Sequence, residues 1–408
     1  MRIAYLTNIL TDTVSSGGSI HVTQVAKRLI ERDHILYTNL QTESDNFVKV
    51  TEKDFYKKGK EIDIFYVRIH GWPKNDELTL LRKSNPFVPC IWEVNSPLEE
   101  LRTLGISEEK IQKLNKRRKK LSKMADVAIC VCDEMGKYAR NELGIKKVFV
   151  IPNGSDPEIF NPEKKDKNIF DKTKYKILWV GSPKYSWQGM NIIQKLATTL
   201  KEKNINDVLI IVTAEGKSTE NLLYLGHIPY SNMPRYMASA DAGLLLRVFD
   251  FYRFYGSPLK LYDYMASGLP VIGTNGGQIK QVIDENRNGL LVNNSIEDLI
   301  EKILFLKNNP NIASEMGLRG RKAVIDKYNW ENVVSQTESI LLEAIRNHRD
   351  FLNKSLKGRL LANLNNWEII KHLKCASYLS RNIRLKNLAV KLWKHGKLKF
   401  HRSHNTAS

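Results

Sequence analysis

Residues 255–272 read Tyr255-Gly-Ser-Pro-Leu-Lys-Leu-Tyr-Asp-Tyr-Met-Ala-Ser-Gly-Leu-Pro-Val-Ile272. Pro258 suits the first turn of a helix, where its missing amide costs nothing and its fixed φ is already helical. Gly256 and Ser257 lead into that turn, so free amides are expected at the helix N-terminus, where they favour an anion. Lys260 lies one turn in. Asp263 follows three residues later and shares its face. A cation beside a carboxylate suits a diphosphate next to a ribose diol. The same spacing also describes an ion pair on a solvated helix. An apolar run at 270–274 closes the segment as a strand, giving loop, helix and strand in that order.

The pattern extends outward in both directions. Strands are expected at 177–180, 208–213, 242–246, 270–274 and 289–292. Helices are expected at 189–203, 232–240, 258–267, 276–285, 296–308 and 311–327. The first 150 residues repeat the scheme, with strands expected at 3–7, 35–39, 62–69, 88–94, 127–132 and 148–151. Val22, Val25, Ala26, Leu29 and Ile30 recur at helical spacing between the first two strands. Strands alternating with helices predict parallel sheets joined by crossover helices. The turn-forming cluster Ile151-Pro-Asn-Gly-Ser-Asp-Pro157 interrupts the alternation. The sequence therefore predicts an α/β protein of two Rossmann-like units, 1–155 and 156–328. A linking helix at 329–350 and a basic helical tail at 351–408 are expected to follow.

Composition narrows the class. No run of 18 apolar residues occurs, so no spanning helix is expected. The opening MRIAYLTNIL reads as a first strand rather than a secretion signal. Cys90, Cys130, Cys132 and Cys375 have no metal-ligand or Cys-x-x-Cys spacing, which predicts reduced thiols. Of the +20 formal charge, +12 falls in residues 351–408, where 13 Lys and Arg face one acid, Glu368. Such a tail seeks an anionic surface.

A second candidate site is Ser15-Ser-Gly-Gly-Ser-Ile-His21, between the first strand and the first helix. Gly17 and Gly18 let backbone amides approach a phosphate or a sugar hydroxyl; a tight turn without a ligand is the plainer reading. There is no Gly-x-Gly-x-x-Gly here, so a dinucleotide fingerprint is not supported. His21 and His70 are lone histidines, either packed residues or acceptor contacts.

Three elements occur in a telling order: Gly17-Gly18 with His21, Ile151-Pro-Asn-Gly-Ser-Asp156, and the 257–272 run. Phe160, Gly226-His-Ile-Pro229 and Ala240-Asp241 accompany them. The set resembles family 4 glycosyltransferases of the GT-B fold over roughly residues 1–345. The resemblance implies two Rossmann-like domains facing across a cleft. It implies a nucleotide-diphosphate sugar donor on the C-terminal domain, retention of anomeric configuration, and neither metal nor cofactor. By the same resemblance, Lys260 pairs with the diphosphate and Leu259 offers it a backbone amide, beside Gly256 and Ser257. Asp263 stands where a Glu binds the ribose, Ile228 lies near the base, and Gly18 faces the diphosphate or sugar.

The chain departs from that pattern at three places. Tyr255 replaces the first of the family's two Glu residues. In the loop Gly181-Ser-Pro-Lys-Tyr-Ser-Trp-Gln-Gly189, Ser182 and Gln188 replace an Arg and a Lys. Lys184 is the expected substitute cation, with Arg247 the second candidate. The family's N-domain His is not evident, and Glu93 or Asn95, in Ile91-Trp-Glu-Val-Asn-Ser-Pro97, is expected to face the acceptor.

Residues 110–123 carry eight basic side chains, with Ile111, Leu114, Leu121 and Ala125 on one face and Arg118 intruding among them. An anionic membrane surface is the expected partner of this helix and the tail, through charge and the tail residues Trp367 and Trp393; an ordinary solvated face is the alternative. No nucleic-acid module accompanies the basic residues, and none is expected as a partner. The expected activity is sugar transfer to a cell-surface glycan or lipid-linked acceptor, at the cytoplasmic face of the membrane. A nucleotide-sugar epimerase on the same scaffold and a silent nucleotide-sugar-binding protein are the competing readings.

Overall fold

The computed structural model describes residues 1–7, 16–38, 47–49, 61–68, 88–248, 254–293 and 295–354. His70, Cys375 and tail residues 355–408 fall outside these. Met1–Ala344 form one compact unit and Ile345–Ser408 a second; both sheets belong to the first.

The N-terminal sheet has seven parallel strands: β1 (Arg2–Thr7), β2 (Ile35–Thr38), β3 (Phe47–Lys49), β4 (Ile64–Arg68), β5 (Cys90–Val94), β6 (Val127–Cys130) and β7 (Val148–Val150). Their order is β3-β2-β1-β4-β5-β6-β7. The C-terminal sheet has six: β8 (Tyr175–Trp179), β9 (Val208–Val212), β10 (Leu222–Tyr224), β11 (Ala242–Leu245), β12 (Val271–Thr274) and β13 (Gly289–Val292), in the order β10-β9-β8-β11-β12-β13. Both sheets are doubly wound, as expected. The expected strands are present, each with ends within two residues of those expected. Two elements, β3 and β10, were not anticipated; each is three residues long, too short to show an alternation.

Helices cover the sheets because a parallel sheet is apolar on both faces. They are α1 (Gly17–Glu31), α2 (Glu108–Leu121), α3 (Asp133–Asn141), α4 (Met190–Glu202), α5 (Met233–Ser239), α6 (Leu259–Ala266), α7 (Gly277–Asn286), α8 (Ile296–Asn308), α9 (Pro310–Asp326) and α10 (Trp330–Lys354). Trp92 and Trp179 fill the centres of the two cores. In each sheet the chain reverses direction beside its first strand, between β1 and β4 and between β8 and β11. Ligands of such sheets bind outside the carboxyl ends of the strands at that point. Ser16–Gly18, Arg68, the 180–188 loop and Arg247 all occupy such ends.

Helix α10 returns the chain to the first sheet's flank. Trp330 is buried at its start, with its ring edge-on to His21 at 5.5 Å. Glu331 and Glu338 pair with Arg32, Glu338 also meets His34 at 2.7 Å, and Glu343 meets Lys147 at 2.6 Å.

The C-terminal core is packed to backbone contact where α9 crosses the turn after α6. A Cβ at Gly317 would stand 2.0 Å from the Gly268 carbonyl oxygen. Because that neighbour is backbone, Gly317→Ala must separate the two elements. A loss of about 1–3 kcal/mol, or more, is expected in denaturant unfolding; an unchanged midpoint would contradict this packing.

Candidate functional site

A cleft of about 670 Å³ is lined from both sheets. On one side stand Gly17, Gly18, Arg68 and Asn95; on the other stand Ile228, Arg247, Lys260 and Asp263. Tyr255, Gly256, Ser257 and Leu259 line it as well.

The decisive element is α6. Pro258 is its N-cap, preceded by Gly256 at φ +92°, a left-handed conformation that suits glycine. All of α6 except Lys260 is buried. Lys260 and Asp263 do not form the surface ion pair that their spacing permits. The Lys260 ammonium turns to the end of β8, donating to the Val180 carbonyl at 2.6 Å and to Gln188 Oε1 at 2.9 Å. Asp263 Oδ1 instead accepts from the Ser155 hydroxyl at 2.5 Å. Burial pushes the Lys260 ammonium down to about 7, and the charge of Arg247 adds to the effect. Burial pushes the Asp263 carboxyl up to about 7, against hydrogen bonds from Ser155 and Tyr230. Among the described residues, neither group forms an ion pair.

Lys184 is not where the sequence placed it. Tyr185 N donates to Ser182 O at 3.1 Å, closing a turn whose tip, Pro183 and Lys184, is exposed away from the cleft. Arg247, the second candidate, lines the cleft instead. Its guanidinium lies 5.0 Å from the Trp187 ring centroid and donates to the Tyr255 carbonyl. Gln188, replacing the family's Lys, places its amide oxygen against Lys260.

On the other wall, Asn95 lines the cleft, whereas Glu93 and His21 stand behind it at 1% and 4% exposure. Glu93 faces inward because three donors hold it there: Arg68, Asn95 Nδ2 at 2.7 Å and the Tyr66 hydroxyl at 2.6 Å, with His21 Nε2 2.8 Å away. Burial alone would raise its pKa. The charges of His21 and Arg68, with their hydrogen bonds, hold it well below the usual carboxylate range. Arg68 was missed by the sequence reading. The available signal was an Arg closing an apolar strand beside a second apolar strand that contains Glu93.

Asn153 was missed too, although its motif was noted. Its Nδ2 donates to the Ser257 carbonyl at 2.6 Å, its backbone N donates to Ser257 Oγ at 3.1 Å, and its Oδ1 faces His21 Nδ1 at 2.7 Å. One linker amide thus ties the first sheet's α1 to the lead-in of α6. Among the described residues, no group of three or more His, Cys, Asp or Glu is arranged to hold a metal ion.

Residues 174–309 match the family model described as Glycosyl transferases group 1. That match covers the C-terminal sheet and its helices through α8, about a third of the chain. Over 213 residues the chain is 20% identical to the MMP alpha-(1->4)-mannosyltransferase of Mycolicibacterium hassiacum, covering 49% of each sequence. The chain thus spans about half the length of that curated relative. Among solved structures it resembles the sucrose-phosphate synthase of Thermosynechococcus elongatus (TM-score 0.66, 14% identity, 84% of this chain and 98% of that one). It also resembles Anabaena HepE in complex with UDP and glucose (TM-score 0.61, 14% identity, 84% and 99%). The fold is GT-B.

The buried Asp263 gives a signed pH test. Its folded pKa, about 7, exceeds the ordinary aspartate value. The folded state therefore holds a proton that the unfolded chain releases as pH rises from about 4 to about 7, and stability falls across that window. Asp263→Asn has no such proton to lose. Its melting temperature should gain on wild type between those pH values; parallel curves would refute a raised Asp263.

Proposed function

We propose that this protein transfers a sugar from a nucleotide-diphosphate sugar to a hydroxyl of a glycan or lipid-linked acceptor, with retention of configuration. The observation that carries the reading is the meeting of Lys260, Arg247 and the α6 lead-in at one end of a two-walled cleft. The positive charge that a departing diphosphate needs comes from these groups without recourse to a metal. Lys260 holds the diphosphate from the position that Gln188 vacates, and Leu259 offers its amide. Asp263 receives the ribose hydroxyls, and Ile228 borders the base. Gly17 and Gly18 close over the phosphates from the opposite wall.

In the proposed step the acceptor oxygen bonds to the anomeric carbon. The bond from that carbon to the diphosphate oxygen breaks, and its electron pair leaves with the nucleoside diphosphate. The acceptor proton passes to that same oxygen, on the face from which it departs. The protein positions both partners and stabilises the developing charge.

A panel of nucleotide sugars and acceptors tests the activity. Nucleoside diphosphate release should rise with acceptor. A new sugar nucleotide formed without acceptor would establish the epimerase reading, and binding without any product would establish the silent one. Lys260→Ala should lower kcat about 100-fold or more while the fold persists; unchanged turnover would remove Lys260 from the reaction.

The acceptor wall also supports the membrane reading. Lys113, Lys116, Lys119 and Lys120 are exposed along α2. Arg118 is no intruder there. It is buried, donates to the Ser96 carbonyl at 3.0 Å and packs over Tyr138, which fixes α2 to a cleft-lining segment. Each basic residue near an anionic leaflet contributes about 1 kcal/mol. Replacing those four lysines by Gln should weaken sedimentation with phosphatidylserine vesicles at least tenfold, and equal binding would exclude α2 as a membrane contact.

A further inference from the structure

The acceptor wall holds a charge cluster to which the transfer step gives no role. Arg68, at the end of β4, is 5% exposed and lines the cleft. Its Nη1 donates to Glu93, but its Nε is buried with no partner. Glu93 spends its bonds elsewhere, Oε1 on Arg68 Nη1 and Asn95 Nδ2 and Oε2 on the Tyr66 hydroxyl. His21 is held between two acceptors. Its Nε2 faces the Glu93 carboxylate, and its Nδ1 faces Asn153 Oδ1. That Asn153 atom is the oxygen, since the amide nitrogen donates to the Ser257 carbonyl.

Among the described residues, Glu93 is the charged partner of Arg68, and it leaves the Arg68 Nε unanswered. Tyr5 and Tyr66, stacked at 4.9 Å beside them, are kept neutral by burial. Glu100 also lines the cleft, and its charge acts on Arg247. A buried guanidinium nitrogen without a partner is costly unless an acceptor answers it.

We propose that this wall is an anion site, and that the acceptor enters bearing a phosphate or carboxylate group that meets Arg68. The anion site stands on the cluster alone; the word acceptor rests on the transfer reading. The site is separate from Lys260, which lies on the opposite wall with the donor's phosphates.

Calorimetric titration of the full chain with inorganic phosphate, and with malonate as the carboxylate probe, tests the proposal. Lys260→Ala should retain an anion site, and Arg68→Gln should weaken it about tenfold or more, the effect of losing a charged hydrogen bond. If Arg68→Gln unfolds, the pair Arg68→Met with Glu93→Gln removes both buried charges together and must show the same loss. No binding in wild type, or binding that Lys260→Ala abolishes and Arg68→Gln leaves intact, would overturn the site. Repeating the titration with saturating UDP assigns the source. Arg68-dependent binding that survives belongs to the acceptor, and displacement by UDP would give the site to the donor and overturn the acceptor claim. A parallel nucleotide titration separates the failures. Arg68-dependent phosphate with no nucleotide bound by any member of the panel would sink sugar transfer and leave the anion site. Bound nucleotide without it would do the reverse.

Discussion

The arrangement of the cleft depends on a short extended linker whose alternate side chains grip the same helix. Residues two apart on an extended chain point to one side. Asn153 and Ser155 use that geometry to hold α6 at its lead-in and at its second turn. Each sheet can bury its own core, but neither core fixes where α6 stands relative to Gly17. The linker does so, and the Leu259 side chain accordingly comes within 3.5 Å of where a Gly17 Cβ would lie.

Around that joint the two walls are electrically distinct. The wall that holds α6 carries Lys260 and Arg247, facing neutral oxygens of Val180, Gln188 and Tyr255. The other wall carries a cluster in which a carboxylate is surrounded by donors. Burial works against charge along α6, which is why Lys260 and Asp263 depart from their ordinary ionisation in opposite directions.

Much of this was legible in the sequence, for identifiable reasons. The 255–272 run announces itself because proline, glycine and helical spacing coincide with an apolar strand. The doubly wound sheets followed from the strand–helix alternation. Spacing does not carry side-chain direction across a loop, so Lys184 ranked ahead of Arg247; the closure of the 182–185 turn reverses that order. The same limit hid the partners of Asp263 and His21, since Ser155 and Asn153 are more than a hundred residues away along the chain. Arg118 looked like a flaw in an apolar stripe because periodicity has no symbol for a guanidinium that binds a carbonyl inside.

The return of α10 to the first sheet bears on how the polypeptide acquires its shape during synthesis. The first sheet's strands are all made by residue 150, yet Arg32, His34 and Lys147 await Glu331, Glu338 and Glu343. Until the ribosome has delivered that stretch, the flank beside His21 lacks the indole of Trp330 that will cover it. The amino-terminal half is therefore first to emerge and last to be completed, and its assembly is tied to the arrival of a helix encoded some 180 residues downstream.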